Sequence, residues 1–113
     1  MRRPAPKDSP AAASRRTADR QAVFEAIAAL KSAQETQRFL YDLLTPAEIE
    51  ALAERWRIAQ LLDEGALSYR EIAAETGAST TTVARVARFL KEEPHQGYRM
   101  MIDRLRKLRL KRA

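Results

Sequence analysis

The chain has 113 residues, 45% of them apolar and 32% charged, with a formal net charge of +6 and no cysteine. That length fits one small domain plus tails, with a modest core that a partner subunit would help to complete. Disulfides and thiolate metal sites are excluded, no apolar run approaches a membrane span, and the start MRRPAPKDSP lacks the apolar core of a signal peptide. A reducing cytoplasm is the expected compartment.

The charge is unevenly placed. Residues 1–17 carry a net +4, residues 18–67 carry −4, residues 68–95 are neutral, and residues 96–113 carry +6. Basic ends around an acidic middle fit arms that neutralise phosphates, although solubilising tails would share the same composition.

Residues 1–17 combine Pro4, Pro6 and Pro10 with alanines and arginines, without apolar periodicity, and are expected to form a disordered basic arm. A domain is expected over 18–110, with 111–113 as a basic end. From about Asp19, Val23, Phe24, Ile27 and Leu30 recur at three and four, the pattern of a helix with one buried stripe. Ser32 followed by Glu35 is a capping box for a second helix carrying Phe39, Leu40 and Leu43 inward.

Thr45 to Glu48, TPAE, repeats that device with proline at the first helical position. The third helix holds Ile49, Leu52, Trp56, Ala59 and Leu62 at helical spacing, widened by Ala51, Ile58 and Leu61, so it should pack on more than one neighbour. Trp56 is expected in a core or dimer interface. Gly65 can close this helix, and Asp63 and Glu64, adjacent and pointing apart, read as a solvated end.

The segment from Ser68 to Phe89, SYREIAAETGASTTTVARVARF, has the spacing of a helix-turn-helix over 68–92. Ile72 and Ala73 share a face of the first helix, Gly77 can take the positive φ of a tight turn, and Val83 and Val86 point back from the second helix. Thr76 stands where an apolar residue is usual and should be partly buried or end its helix. Ser79 can cap the second helix. Thr80, Thr81, Ala84, Arg85 and Arg88 then fall on the opposite face. Three consecutive threonines are indifferent helix formers, yet exposed hydroxyls and methyls can meet base edges, phosphates and thymine methyls. An antiparallel helix pair of purely structural purpose is the competing reading. Pro94 should end the second helix near Glu92, and His95 falls in a solvated loop. A last helix places Tyr98, Met101, Ile102, Leu105 and Leu108 on one side and Arg99, Arg104, Arg106, Lys107 and Arg109 elsewhere.

No segment has strand character, so the fold class is all-α with six helices. The flanking helices carry apolar stripes that so small a monomer would not bury fully, and a symmetric homodimer is the simplest solution. Its two recognition helices would face one side of DNA, roughly 34 Å apart.

Over Leu43 to Pro94 the chain resembles the Trp repressor family. The resemblance is carried by LLTP at Leu43, EIEAL at Glu48, RWRI at Arg55, SYRE at Ser68 and GASTTT at Gly77. With the helices from Asp19 to Asp42 it is similar to the small YerC/YecD type of Trp-repressor-related protein, over about three quarters of the chain. The resemblance implies a six-helix, intertwined homodimer that represses transcription by binding operator DNA. Major-groove docking of the second helix and water-mediated base contact, both worked out for the Trp repressor itself, come with it. Of the positions that surround the tryptophan corepressor in that family, Thr45, Arg55 and Arg85 are kept, a possible ligand site. Val86 and Phe89 replace a glycine and a serine. A valine occupies space the indole needs, and a phenyl ring cannot accept the ammonium's hydrogen bonds. No cofactor is therefore expected, and Val86 and Phe89 should fill the pocket themselves.

The expected function is a sequence-specific regulator, acting as a homodimer on pseudo-palindromic double-stranded DNA at the nucleoid, without membrane or metal. Thr80, Thr81 and Arg85 are expected at base edges, with Ser79 and Thr82 beside them, and Tyr69, Arg70 and Arg88 at the phosphate backbone. The alternative is a protein-interaction adaptor of the transcription machinery. No enzyme is expected, since no carboxylate pair, nucleophile with base, or metal-ligand cluster stands at working spacing.

Overall fold

Five of the six helix starts among the described residues follow one local rule: a serine or threonine hydroxyl accepts from a free N–H group of the first turn. The computed structural model describes residues 9–112. Among them are six helices and no strand. They fall into two compact units that meet in sequence at Leu43 and Leu44.

In the first unit, α1 spans Pro10–Ala28 and α2 spans Ala33–Leu43. The expected arm is thereby corrected. Residues 1–8 lie outside the described residues, but 10–17 are helical, because Ser9 accepts from Ala12 N at 3.0 Å and Pro10 supplies the pre-set φ of a first helical residue. Alanine, the best helix former, carries the next turn without any apolar stripe. At α2, Ser32 Oγ accepts from Glu35 N at 3.1 Å, while the Glu35 carboxylate reaches Lys31 N at 2.9 Å, one residue earlier than a capping box requires. The stripe expected to be buried on α1 is largely in solvent. Phe24 is 59% and Ile27 42% exposed, and α1 buries only Ala12. On α2, Phe39 and Leu40 are half-buried, Tyr41 and Leu43 are exposed, and no residue is fully buried.

The second unit holds α3 (Pro46–Glu64), α4 (Tyr69–Thr76), α5 (Thr80–Lys91) and α6 (Gly97–Arg112). Two full capping boxes start it. Thr45 Oγ1 accepts from Glu48 N while the Glu48 carboxylate accepts from Thr45 N at 2.8 Å, and Ser68 and Glu71 repeat the exchange. Gly65 and Gly77 end α3 and α4 at φ +74° and +80°, a left-handed conformation that side chains disfavour. α3 packs against α4, α5 and α6, and α5 also packs against α4 and α6. Ile58, Ile72, Val83 and Val86 are the largest fully buried side chains, joined by Ala59, Leu61, Leu90 and Ile102. Trp56 closes one side, its ring stacked on Tyr98 at 6.4 Å between centroids, so its role within the protomer is core packing.

Asp63 is not the solvated end that its neighbour Glu64 is. Its side chain is only 11% exposed and takes Arg99 Nη2 on Oδ1 at 2.7 Å and Arg106 on Oδ2. A carboxylate in the last turn of a helix opposes the helix dipole, and two guanidiniums from α6 offset that cost.

Candidate nucleic-acid interface

α4 and α5, packed together and joined by the short turn at Gly77, occupy the segment expected as a helix-turn-helix, and the core decides which face of α5 is left over. Val83, Val86, Ala87 and Leu90 turn inward. Helical spacing then puts Thr80, Thr81, Ala84, Arg85 and Arg88 outward, and all five are exposed. Thr76 ends α4, half-buried, its hydroxyl donating to Ile72 O at 2.8 Å and accepting from Ala78 N at 3.3 Å. This threonine thus satisfies the turn that leads to α5.

Ser79 is the N-cap of α5. Its Oγ accepts from Thr82 N at 3.1 Å and lies 3.0 Å from the Thr82 hydroxyl. Those two hydroxyls are engaged with each other, whereas Thr80 and Thr81 present theirs to solvent at the same helix start. No acidic residue stands in the first turn of α5, so the partial positive charge of that terminus is unopposed. Tyr69 and Arg70 occupy the exposed first turn of α4. Every residue expected at the interface therefore lies on α4 or α5 or at the cap between them.

Arg85 and Arg88 share an aromatic neighbour. The guanidinium carbon of Arg85 lies 4.6 Å and that of Arg88 5.2 Å from the Phe89 ring centroid. Arg88 Nε also meets Glu93 Oε1 at 3.1 Å, while among the described residues no hydrogen bond or ion pair holds Arg85. Phe89, expected to help fill the family's ligand pocket, is half-buried and stands beside Arg85, itself one of the pocket's positions. The signal was the four-residue interval from Arg85 to Phe89, which puts the two on one helical face.

The three positions of the possible ligand site remain apart in their contacts. Thr45 is occupied as the cap of α3, Arg55 is exposed, and Arg85 lies over Phe89. No hydrogen bond or ion pair joins any two of them among the described residues. Val86 is 2% exposed, its methyls in the core. A separate cavity of about 170 Å³ between α3 and α6 is lined by Trp56, Asp63, Ile102 and Arg106 among others, and holds none of the interface residues. Among the described residues, no group of three or more His, Cys, Asp or Glu side chains stands ready for a metal, and no helix is long and apolar enough to cross a membrane.

Comparison with known proteins agrees with this geometry. The family model described as Trp repressor protein matches residues 18–106. An uncharacterized protein, YerC, from Bacillus subtilis (strain 168) is 43% identical over 84 residues, covering 74% of this chain and 79% of that protein. The crystal structure of a TrpR-like protein from Eubacterium eligens ATCC 27750 is 34% identical, with a TM-score of 0.70, covering 88% of this chain and 92% of the other. A second solved structure, from Staphylococcus aureus, is 35% identical with a TM-score of 0.72, covering 79% and 87% of the two chains. With its helices matched and most of its length within the family model, the chain belongs to the Trp repressor family.

Proposed function

We propose that the protein is a transcriptional repressor that reads a pseudo-palindromic operator as a homodimer, in the cytoplasm and on the nucleoid, without catalysis. One observation carries this reading. α5 is anchored by its valines and exposes Thr80 and Thr81 at its start and Arg85 one turn further along the same outward face, a placement suited to base edges in the major groove. Tyr69, Arg70 and Arg88 flank that face as donors to phosphates, and Ser79 and Thr82 supply the cap that holds its first turn. Exposed Phe24 and Ile27 on α1 and Leu43 on α2 supply apolar surface for a second copy.

The repressor works without tryptophan. Val86 fills its place in the core, and Phe89 meets two cations rather than offering an acceptor for an ammonium group. Thr45, Arg55 and Arg85 then serve the helix cap, the surface and DNA.

Selection of bound sites from a random duplex pool, with and without tryptophan, tests this. An enriched two-fold site whose recovery is indifferent to tryptophan is expected, with affinity falling as salt rises. Sedimentation should show a dimer at micromolar concentration. Failure to enrich any duplex would overturn the reading and favour an adaptor that uses the apolar faces.

A further inference from the structure

We infer that Phe89 is a positioning residue that sets Arg85 for base reading, an inference that rests on the DNA-binding function proposed above. Phe89 is half-buried, on the turn of α5 that also carries Val86 and Leu90, whose side chains are in the core. It stands one helical turn beyond Arg85, with the Arg85 guanidinium carbon 4.6 Å from its centroid. A long arginine side chain must surrender rotamer freedom when it binds, and a partner that confines it beforehand lowers that cost. The ring does so in a particular way. Attraction between a cation and a π face consumes no N–H donor and cancels no charge, so all five donors of Arg85 stay available for a guanine edge. A carboxylate in the same place would take donors and neutralise the group.

Arg88 shows the contrast on the same helix. Its guanidinium carbon is 5.2 Å from the same centroid, but Glu93 also holds its Nε at 3.1 Å and offsets its charge. Among the described residues, one ring therefore serves two arginines with different charge environments: Arg85 is confined without a carboxylate partner, and Arg88 is confined and partly compensated. The first suits discrimination among bases, and the second suits a backbone contact of moderate strength.

The test compares full-length wild type, Phe89→Leu and Phe89→Tyr for binding to the selected duplex and to random duplex across a salt series, with thermal melts as the control for folding. Phe89→Leu should lower the ratio of selected to random affinity about tenfold, the size expected when an arginine loses its ring contact and its placement. The salt slope should change little, because Arg88 keeps its charge and its Glu93 contact when the ring is lost. Phe89→Tyr, which keeps the π face, should restore the ratio. In the free wild-type protein, the Arg85 Nε–H resonance should carry a ring-current shift. A folded Phe89→Leu variant with undiminished selectivity, equal losses from Leu and Tyr, or no ring-current shift in wild type would each overturn the inference. Wild type without selectivity would instead overturn the proposed function itself, and this inference with it.

Discussion

Arg99 of α6 donates through Nη2 to Oδ1 of Asp63 at 2.7 Å, and Arg106, two turns further along α6, takes the other carboxylate oxygen. One nearly covered carboxylate thus fastens the end of α3 to the final helix. The Asp63 carboxyl is held below its usual range, first by the Arg99 hydrogen bond and then by Arg106, against desolvation acting the other way.

Asp63→Asn should therefore lower stability by about 1–2 kcal/mol, a modest figure because both arginines are partly in water. A carboxyl depressed by folding stabilises above its unfolded pKa, about 3.9, and that contribution fades as pH falls through the lower folded value. Thermal melts of wild type and Asp63→Asn between pH 7 and pH 2 should converge at the acid end. A gap that stays constant with pH would contradict the assignment.

Gly77→Ala isolates the backbone term. A Cβ built at Gly77 meets nothing within 4 Å, so only the φ of +80° opposes it. The expected loss is about 1–2 kcal/mol, seen as a lower melting temperature without altered helix content. A much larger loss would mean that the turn has a steric neighbour after all.

Phe24→Glu tests the dimer without touching the α3 to α6 core. Phe24 is 59% exposed in the protomer, so the charge should leave that core intact while opposing association. Sedimentation should show monomers where wild type sediments as a dimer, and binding to a two-fold site should weaken more than binding to a half-site. An unchanged dimer would place the interface elsewhere.

Arg85→Ala and Arg70→Ala should fail differently. The first should cost about 1–3 kcal/mol on the selected duplex and relax preference at one base pair, and the second should weaken all duplexes alike and flatten the salt slope. Parallel losses on selected and random DNA from both variants would deny that α5 reads sequence.

What the sequence made legible followed from how local each cause is. α3 runs from Pro46 to Glu64, between the Thr45 box and Gly65, because both signals act within one turn of the residues they stop or start. The turn at Gly77 and the cap at Ser79 are of the same kind. Ser9 and Pro10 repeat the pairing of Thr45 and Pro46, but apolar periodicity places the start of α1 near Asp19, and alanine-driven helix has no such periodicity to detect. Exposure of Phe24 and Ile27 shows the opposite limit: periodicity finds a stripe and says nothing of what covers it. Asp63 depends on side chains 36 and 43 residues away, which no local signal could deliver. At Phe89, comparison with a tryptophan-binding pattern directs attention to a lost acceptor, and the contact with Arg85, four positions earlier on the same helix, goes unnoticed.

Both ends of α4 are specified by its immediate neighbours, Ser68 with Glu71 at one and Gly77 at the other. The course of the chain into α5 is thus settled by residues outside the exposed face of α5. Under the proposed reading, Thr80, Thr81 and Arg85 can then be exchanged with little effect on that trajectory, leaving room for lineages to acquire new target sites by altering a few fingertips while the wrist stays still.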